Sequence, residues 1–143
     1  MKLVPFEPAH VAKFLNYGGQ EHLVLSFRPE ELVDLRDRGE SWSLEKDENT
    51  ILGCGGVIKI NAYRCCAWGL FQKTPNPTDF LYIHKAVKAG IQRQPYHRIE
   101  AFVDPKLFPA MRWIRLLGFT LERAYIPYFF PDGSGASAWA MNK

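Results

Sequence analysis

The chain has 143 residues, 47% of them hydrophobic and 23% charged, the balance of a globular protein long enough to bury a core as one domain over residues 1–143. No apolar run approaches the ~20 residues a membrane helix requires, and Met1-Lys2-Leu3-Val4-Pro5-Phe6-Glu7 has no signal-peptide core, so a cytoplasmic protein without membrane contact is expected. The formal charge of +3 is uneven, with eight Lys/Arg against ten Asp/Glu in residues 1–72 and ten against five in 73–143. This bias suits either a solvated surface or an anionic ligand near the C-terminal half. It falls short of the basic stripe of a nucleic-acid binder.

Residues 2–6 read as a short strand and Glu7 to Asn16 as a helix ended by Gly18-Gly19. Leu23 to Phe27 reads as an extended segment, and Pro29 opens a second helix to Arg38, stopped by Gly39. Its early acids Glu30, Glu31 and Asp34 and its late Arg36 and Arg38 follow the helix dipole. Strands follow at Trp42–Leu44, Thr50–Ile60 and Tyr63–Phe71, the last two joined tightly at Asn61-Ala62 as an antiparallel hairpin. Asn76-Pro77-Thr78 leads into a helix with Phe80, Ile83, Val87 and Ile91 at helical spacing. His97 to Val103 alternates as a strand, with Ile99, Ala101 and Val103 on one face and Arg98, Glu100 and Phe102 on the other. A helix over 109–117 ends at Gly118, and two strands joined near Pro131–Gly135 close the chain.

Cys65 and Cys66 are adjacent and point to opposite faces of a strand, a poor disulfide pair, and with Cys54 they suit a reducing compartment. Neither the cysteines nor His10, His22, His84 and His97 have metal-ligand spacing. Gly53-Cys54-Gly55-Gly56 continues into Val57-Ile58-Lys59-Ile60 as a strand, which is the wrong context for a dinucleotide fingerprint. Tyr125, Tyr128, Phe129 and Phe130 fit either a core strand or a half-exposed binding surface.

Arg98-Ile99-Glu100-Ala101-Phe102-Val103-Asp104-Pro105, followed by Arg112-Trp113-Ile114-Arg115-Leu116-Leu117-Gly118-Phe119, resembles the R-I-E-A-x-V-D-P and A-x-R-L-L-x-x-L-G-F segments of the GNAT acyltransferase superfamily. The resemblance implies a mixed α/β sheet in the order β-α-α-β-β-β-α-β-α-β-β. It also implies that strands 63–71 and 97–103 splay apart around the pantetheine arm of acetyl-CoA. Backbone groups near Leu70, Phe71 and Gln72 would then meet the cofactor. In place of that family's Q/R-x-x-G-x-G/A phosphate loop stands Gln72-Lys73-Thr74-Pro75-Asn76-Pro77-Thr78-Asp79. It has no glycine, two prolines without an N–H, and an acid near the helix start, so Lys73, Thr74 and Thr78 are its candidate phosphate donors.

For catalysis the resemblance implies a base that takes a proton from the acceptor amine, and Glu100 is the best-placed carboxylate. The family's frequent acid, a Tyr, aligns with Ile114, and its frequent Asn with Leu107. Two functions therefore stand side by side. One is an acyl-CoA-dependent N-acyltransferase acting on an amine. The other is a catalytically inactive GNAT-like protein with a structural or assembly role, as in bacteriophages, working through a homodimer or a protein partner.

Overall fold

The computed structural model describes residues 1–17, 28–48, 50–71 and 75–143. Gly18-Gly19, the Leu23–Phe27 segment, Asn49 and Gln72-Lys73-Thr74 lie outside the described residues. The elements are β1 (Lys2–Pro5), a 3₁₀ helix (Pro8–Tyr17), α1 (Pro29–Asp37), β2 (Ser41–Asp47), β3 (Thr50–Lys59) and β4 (Arg64–Phe71). Then come α2 (Pro77–Arg93), β5 (Arg98–Val103), α3 (Phe108–Leu116), β6 (Thr120–Ile126) and β7 (Ala136–Asn142). The expected order is met, with the first helix wound as 3₁₀.

One seven-stranded sheet runs β1-β2-β3-β4-β5-β7-β6. Every pairing is antiparallel except β4 with β5, which are joined by the α2 crossover. Period-two alternation gives the sheet two apolar faces. On one face Cys65, Ile99, Ala101 and Trp139 pack with Ile83, Val87 and Ile91 of α2 and with Ile114 of α3. On the other, Ile51, Cys54 and Leu70 pack with Phe6, just after β1, and with Val11 and Leu35 of the N-terminal helical segments. Cys65 and Cys66 do face opposite ways, and all three cysteines are free thiols.

Helix ends are fixed by hydrogen bonds. Gly118 takes φ +105°, and the N–H groups of Gly118 and Phe119 donate to the carbonyls of Arg115 and Ile114, a Schellman closure of α3. At the end of α2, Lys143 Nζ donates to the carbonyls of Ile91, Gln92 and Gln94 at 3.2, 3.2 and 2.7 Å. This places a cation against the negative end of the helix. Phe80 departs from the expected core stripe. It lies 37% exposed because its ring turns to His84 and Trp113 instead of inward.

Ile99 is fully buried at the centre of the larger cluster. Ile99→Ala is expected to lower stability by about 2–5 kcal/mol, read as a shift of the urea midpoint at unchanged slope.

Candidate active site

The site begins where a ladder stops. β4 and β5 pair only at Arg64–Arg98, Cys65–Ile99 and Cys66–Glu100. On their outer edges both strands stay paired, β4 with β3 out to Phe71 and β5 with β7 out to Val103. The inner edges therefore part while the sheet remains continuous. A cavity of about 460 Å³ opens there, within the range of small-ligand sites. Ala67, Phe71, Ala101 and Trp113 border it on the α2/α3 side; Trp68, Phe102, Phe129 and Phe130 border it on the other. It thus passes through the sheet.

Glu100 sits at the vertex of the gap. It is 6% exposed, and its Oε1 accepts from Arg64 Nε at 2.7 Å and Arg98 Nε at 2.9 Å. Arg98 also grips Glu122 with its two terminal nitrogens. Oε2 of Glu100 is buried with no hydrogen-bond partner among the described residues. Burial pushes the carboxyl upward, but the two arginine hydrogen bonds outweigh it and hold it below the usual carboxylate range. Its strand partner Cys66 and its neighbour Phe102 line the cavity, whereas Glu100 itself does not. Burial pushes the Cys66 thiol up to about 12, so it is no thiolate nucleophile at neutral pH.

The start of α2 is satisfied from within. Asn76 caps the helix by accepting from the Asp79 N–H at 2.8 Å. Its amide donates to Asp79 Oδ2 at 3.2 Å, and Lys46 Nζ reaches the same oxygen at 3.0 Å. Asp79 is buried, and Thr78 beside it is exposed. A protein carboxylate thus occupies the first turn, where an anionic ligand would otherwise gain from the helix dipole.

Between α2 and α3 the cavity is bordered by an aromatic cluster. Trp113 Nε1 donates to His84 Nδ1 at 3.1 Å, and Trp113 meets Phe71 and Phe80 edge-on at 4.9 and 5.9 Å. Phe71 in turn lies over Gly53 and Gly69, where a Cβ would collide with its ring. Of the β6–β7 aromatics, Phe129 and Phe130 border the cavity, while Tyr125 and Tyr128 are exposed. Of the sequence-derived cofactor residues, Leu70 and Phe71 border the cavity, and Gln72, Lys73 and Thr74 lie outside the described residues. Trp68, Phe102 and the Lys46–Asp79 pair were not among the sequence candidates. Alternation already put Phe102 on the Glu100 face, but nothing local couples Lys46 to a residue so far along the chain. Among the described residues no three His, Cys, Asp or Glu side chains cluster to hold a metal.

The fold is that of GNAT-family acetyltransferases. A spermidine N-acetyltransferase from Vibrio cholerae, whose crystal structure contains CoA and spermine, superposes with a TM-score of 0.68 at 14% identity, covering 99% of this chain and 94% of that one. A GNAT-family acetyltransferase from Bacillus anthracis gives 0.64 at 17% identity, covering 98% and 93%. No protein-family model matches the chain, and no curated protein does. No helix among the described residues is long and apolar enough to cross a membrane.

Because the folded carboxyl of Glu100 titrates below its ordinary value of 4.5, its ion pairs add stability above that value. The contribution disappears as pH falls through the lower folded value. The stability difference between wild type and Glu100→Gln should therefore shrink from about pH 6 to about pH 3, measured by urea unfolding at each pH.

Proposed function

We propose that this chain is a GNAT-type N-acyltransferase using an acyl-coenzyme A, acetyl-CoA in the simplest case, as donor and an amine as acceptor. The observation that carries this reading is the gap between β4 and β5. It begins at Cys66–Glu100 and holds a cavity along the main chain of β4. An extended pantetheine arm fits such a gap because the bordering strand can offer it main-chain hydrogen bonds, as an added strand would. Leu70 and Phe71 would flank the arm. The phosphates would have to find Gln72, Lys73, Thr74 and the exposed Thr78, since Asn76 and Asp79 already satisfy the α2 terminus.

The bound thioester would supply the carbonyl that the amine attacks. As the C–N bond forms the C–S bond breaks, and coenzyme A leaves as a thiolate that takes a proton from water. Most of the acceleration in this reading comes from holding the two reactants together in the gap. The acceptor amine must lose a proton, and Glu100 Oε2 is the buried acceptor nearest the vertex. Glu100 does not border the cavity, so the transfer runs through a water. Its arginine partners keep it ionised but make it a weak base, so its share of the rate is modest.

A second reading rests on the Trp113–His84 bond and the buried Asp79, which close α2 toward α3 and fill the helix start. In this reading the fold serves structure or assembly, in a phage particle for example, without transferring acyl groups. Calorimetric titration with acetyl-CoA separates the two. Binding near the micromolar range, about 8 kcal/mol, supports the transferase; absence of binding at millimolar ligand supports the second reading. Ala67→Leu, which fills the gap from β4, should weaken acetyl-CoA about tenfold or more, roughly the effect of an added methylene or two in a tight pocket.

A further inference from the structure

Resting on the acyl-transfer reading, we propose that the acceptor is a primary amine carried on an aromatic or alkyl body, and not a polyamine. The cavity passes through the sheet, so donor and acceptor can approach the reacting centre from opposite faces. With the thioester arm on the α2/α3 side, the amine enters on the side of Trp68, Phe102, Phe129 and Phe130.

That chamber has fixed aromatic walls. Phe102 and Phe129 stack at 4.5 Å, and Phe130 stands edge-on to Phe129 at 5.1 Å. The N–H groups of both Phe129 and Phe130 donate to the Ser134 carbonyl, and that of Gly133 donates to the Phe130 carbonyl, which pins the loop. Trp68 is held edge-on by Phe6 at 5.1 Å. An aromatic or alkyl body gains from burial against such walls without first ordering them.

The polar groups argue against more than one positive charge. Glu40 and Asp104 are the carboxylates among the described residues that border the cavity. Glu40 is engaged by Arg93 at 2.7 Å and Gln94 at 2.8 Å, and Asp104 accepts from the Lys106 N–H at 2.9 Å. Near the vertex, one buried carboxylate oxygen, Glu100 Oε2, lacks a partner, which suits a single amine head reached through a water. A second ammonium would have to leave water against the aromatic walls, a heavy cost. The chain's net charge of +3 adds weak repulsion toward any polycation.

The test uses the full chain saturated with free coenzyme A, which cannot react, and titrates in 2-phenylethylamine or spermidine by calorimetry. Phenylethylamine is expected to bind at least about tenfold more tightly than spermidine. Phe129→Ala, at a partly exposed position, and the packing-conserving Phe102→Leu should each weaken phenylethylamine several-fold while leaving coenzyme A affinity unchanged. Spermidine binding as tightly as phenylethylamine, or neither amine binding, overturns the proposal. Selective phenylethylamine binding without amide formation from acetyl-CoA would uphold the chamber and overturn the transferase reading.

Discussion

The structure turns on a parallel ladder three residue pairs long. Parallel strands normally continue until a turn ends them, because every abandoned pair exposes a donor and an acceptor. Here β4 and β5 separate after Cys66–Glu100, yet each keeps its outer ladder, β4 to Phe71 and β5 to Val103. The outer pairings hold the sheet together, so separation costs only the inner edge. Side chains then settle which space is filled. Ala67 and Ala101 are small and leave the centre open, whereas Phe102, stacked on Phe129, builds a wall.

The vertex of the gap is fixed electrostatically. Glu100 Oε1 receives Arg64 from β4 and Arg98 from its own strand, and Arg98 spans β7 to reach Glu122 on β6. The ion pairs therefore lie across the last rung before the strands separate. Removing the carboxylate would leave two guanidinium groups near each other without their shared partner, so a break here costs more than the loss of one surface pair. The same clamp lowers the basicity of Glu100. A group that pins the geometry of the gap is thereby made a poor proton acceptor, and in the proposed transferase the rate would rest on placement more than on acid–base strength.

What the sequence made legible was local. The β5 alternation and the helix stop at Gly118 each act through near neighbours, and the structure forms them as read. The burial of Ile83, Val87 and Ile91 also followed from helical spacing. Phe80 escaped that reading because its preference was settled by Trp113, which arrives from another helix. Lys46 and Asp79, or His84 and Trp113, are separated by a strand or more, and no pattern in either segment announces the other. The candidate site is made mostly of such distant meetings. The location of the gap was readable through a family resemblance, and Phe129 and Phe130 stood out as a candidate surface, while their meeting with Trp68 and Phe102 was not readable.

The start of α2 shows how a fold can keep a cavity while changing how one end is supplied. An uncapped helix start offers several N–H groups to any anion, and a bound phosphate would satisfy them. Asn76 instead takes the Asp79 N–H, and the Asp79 carboxylate answers with Asn76 and Lys46. The Asp79 and Phe80 N–H groups are then satisfied without a ligand, and an approaching phosphate meets a negative side chain already in place. The gap behind it needs no anion to stay open, since its walls are held by the outer ladders and by Phe71 lying across Gly53 and Gly69. In the proposed transferase, recognition would therefore be weighted toward the apolar interior of the gap. A ligand there would be selected by its fit between Trp68 and Phe102, with its charge counting at Glu100.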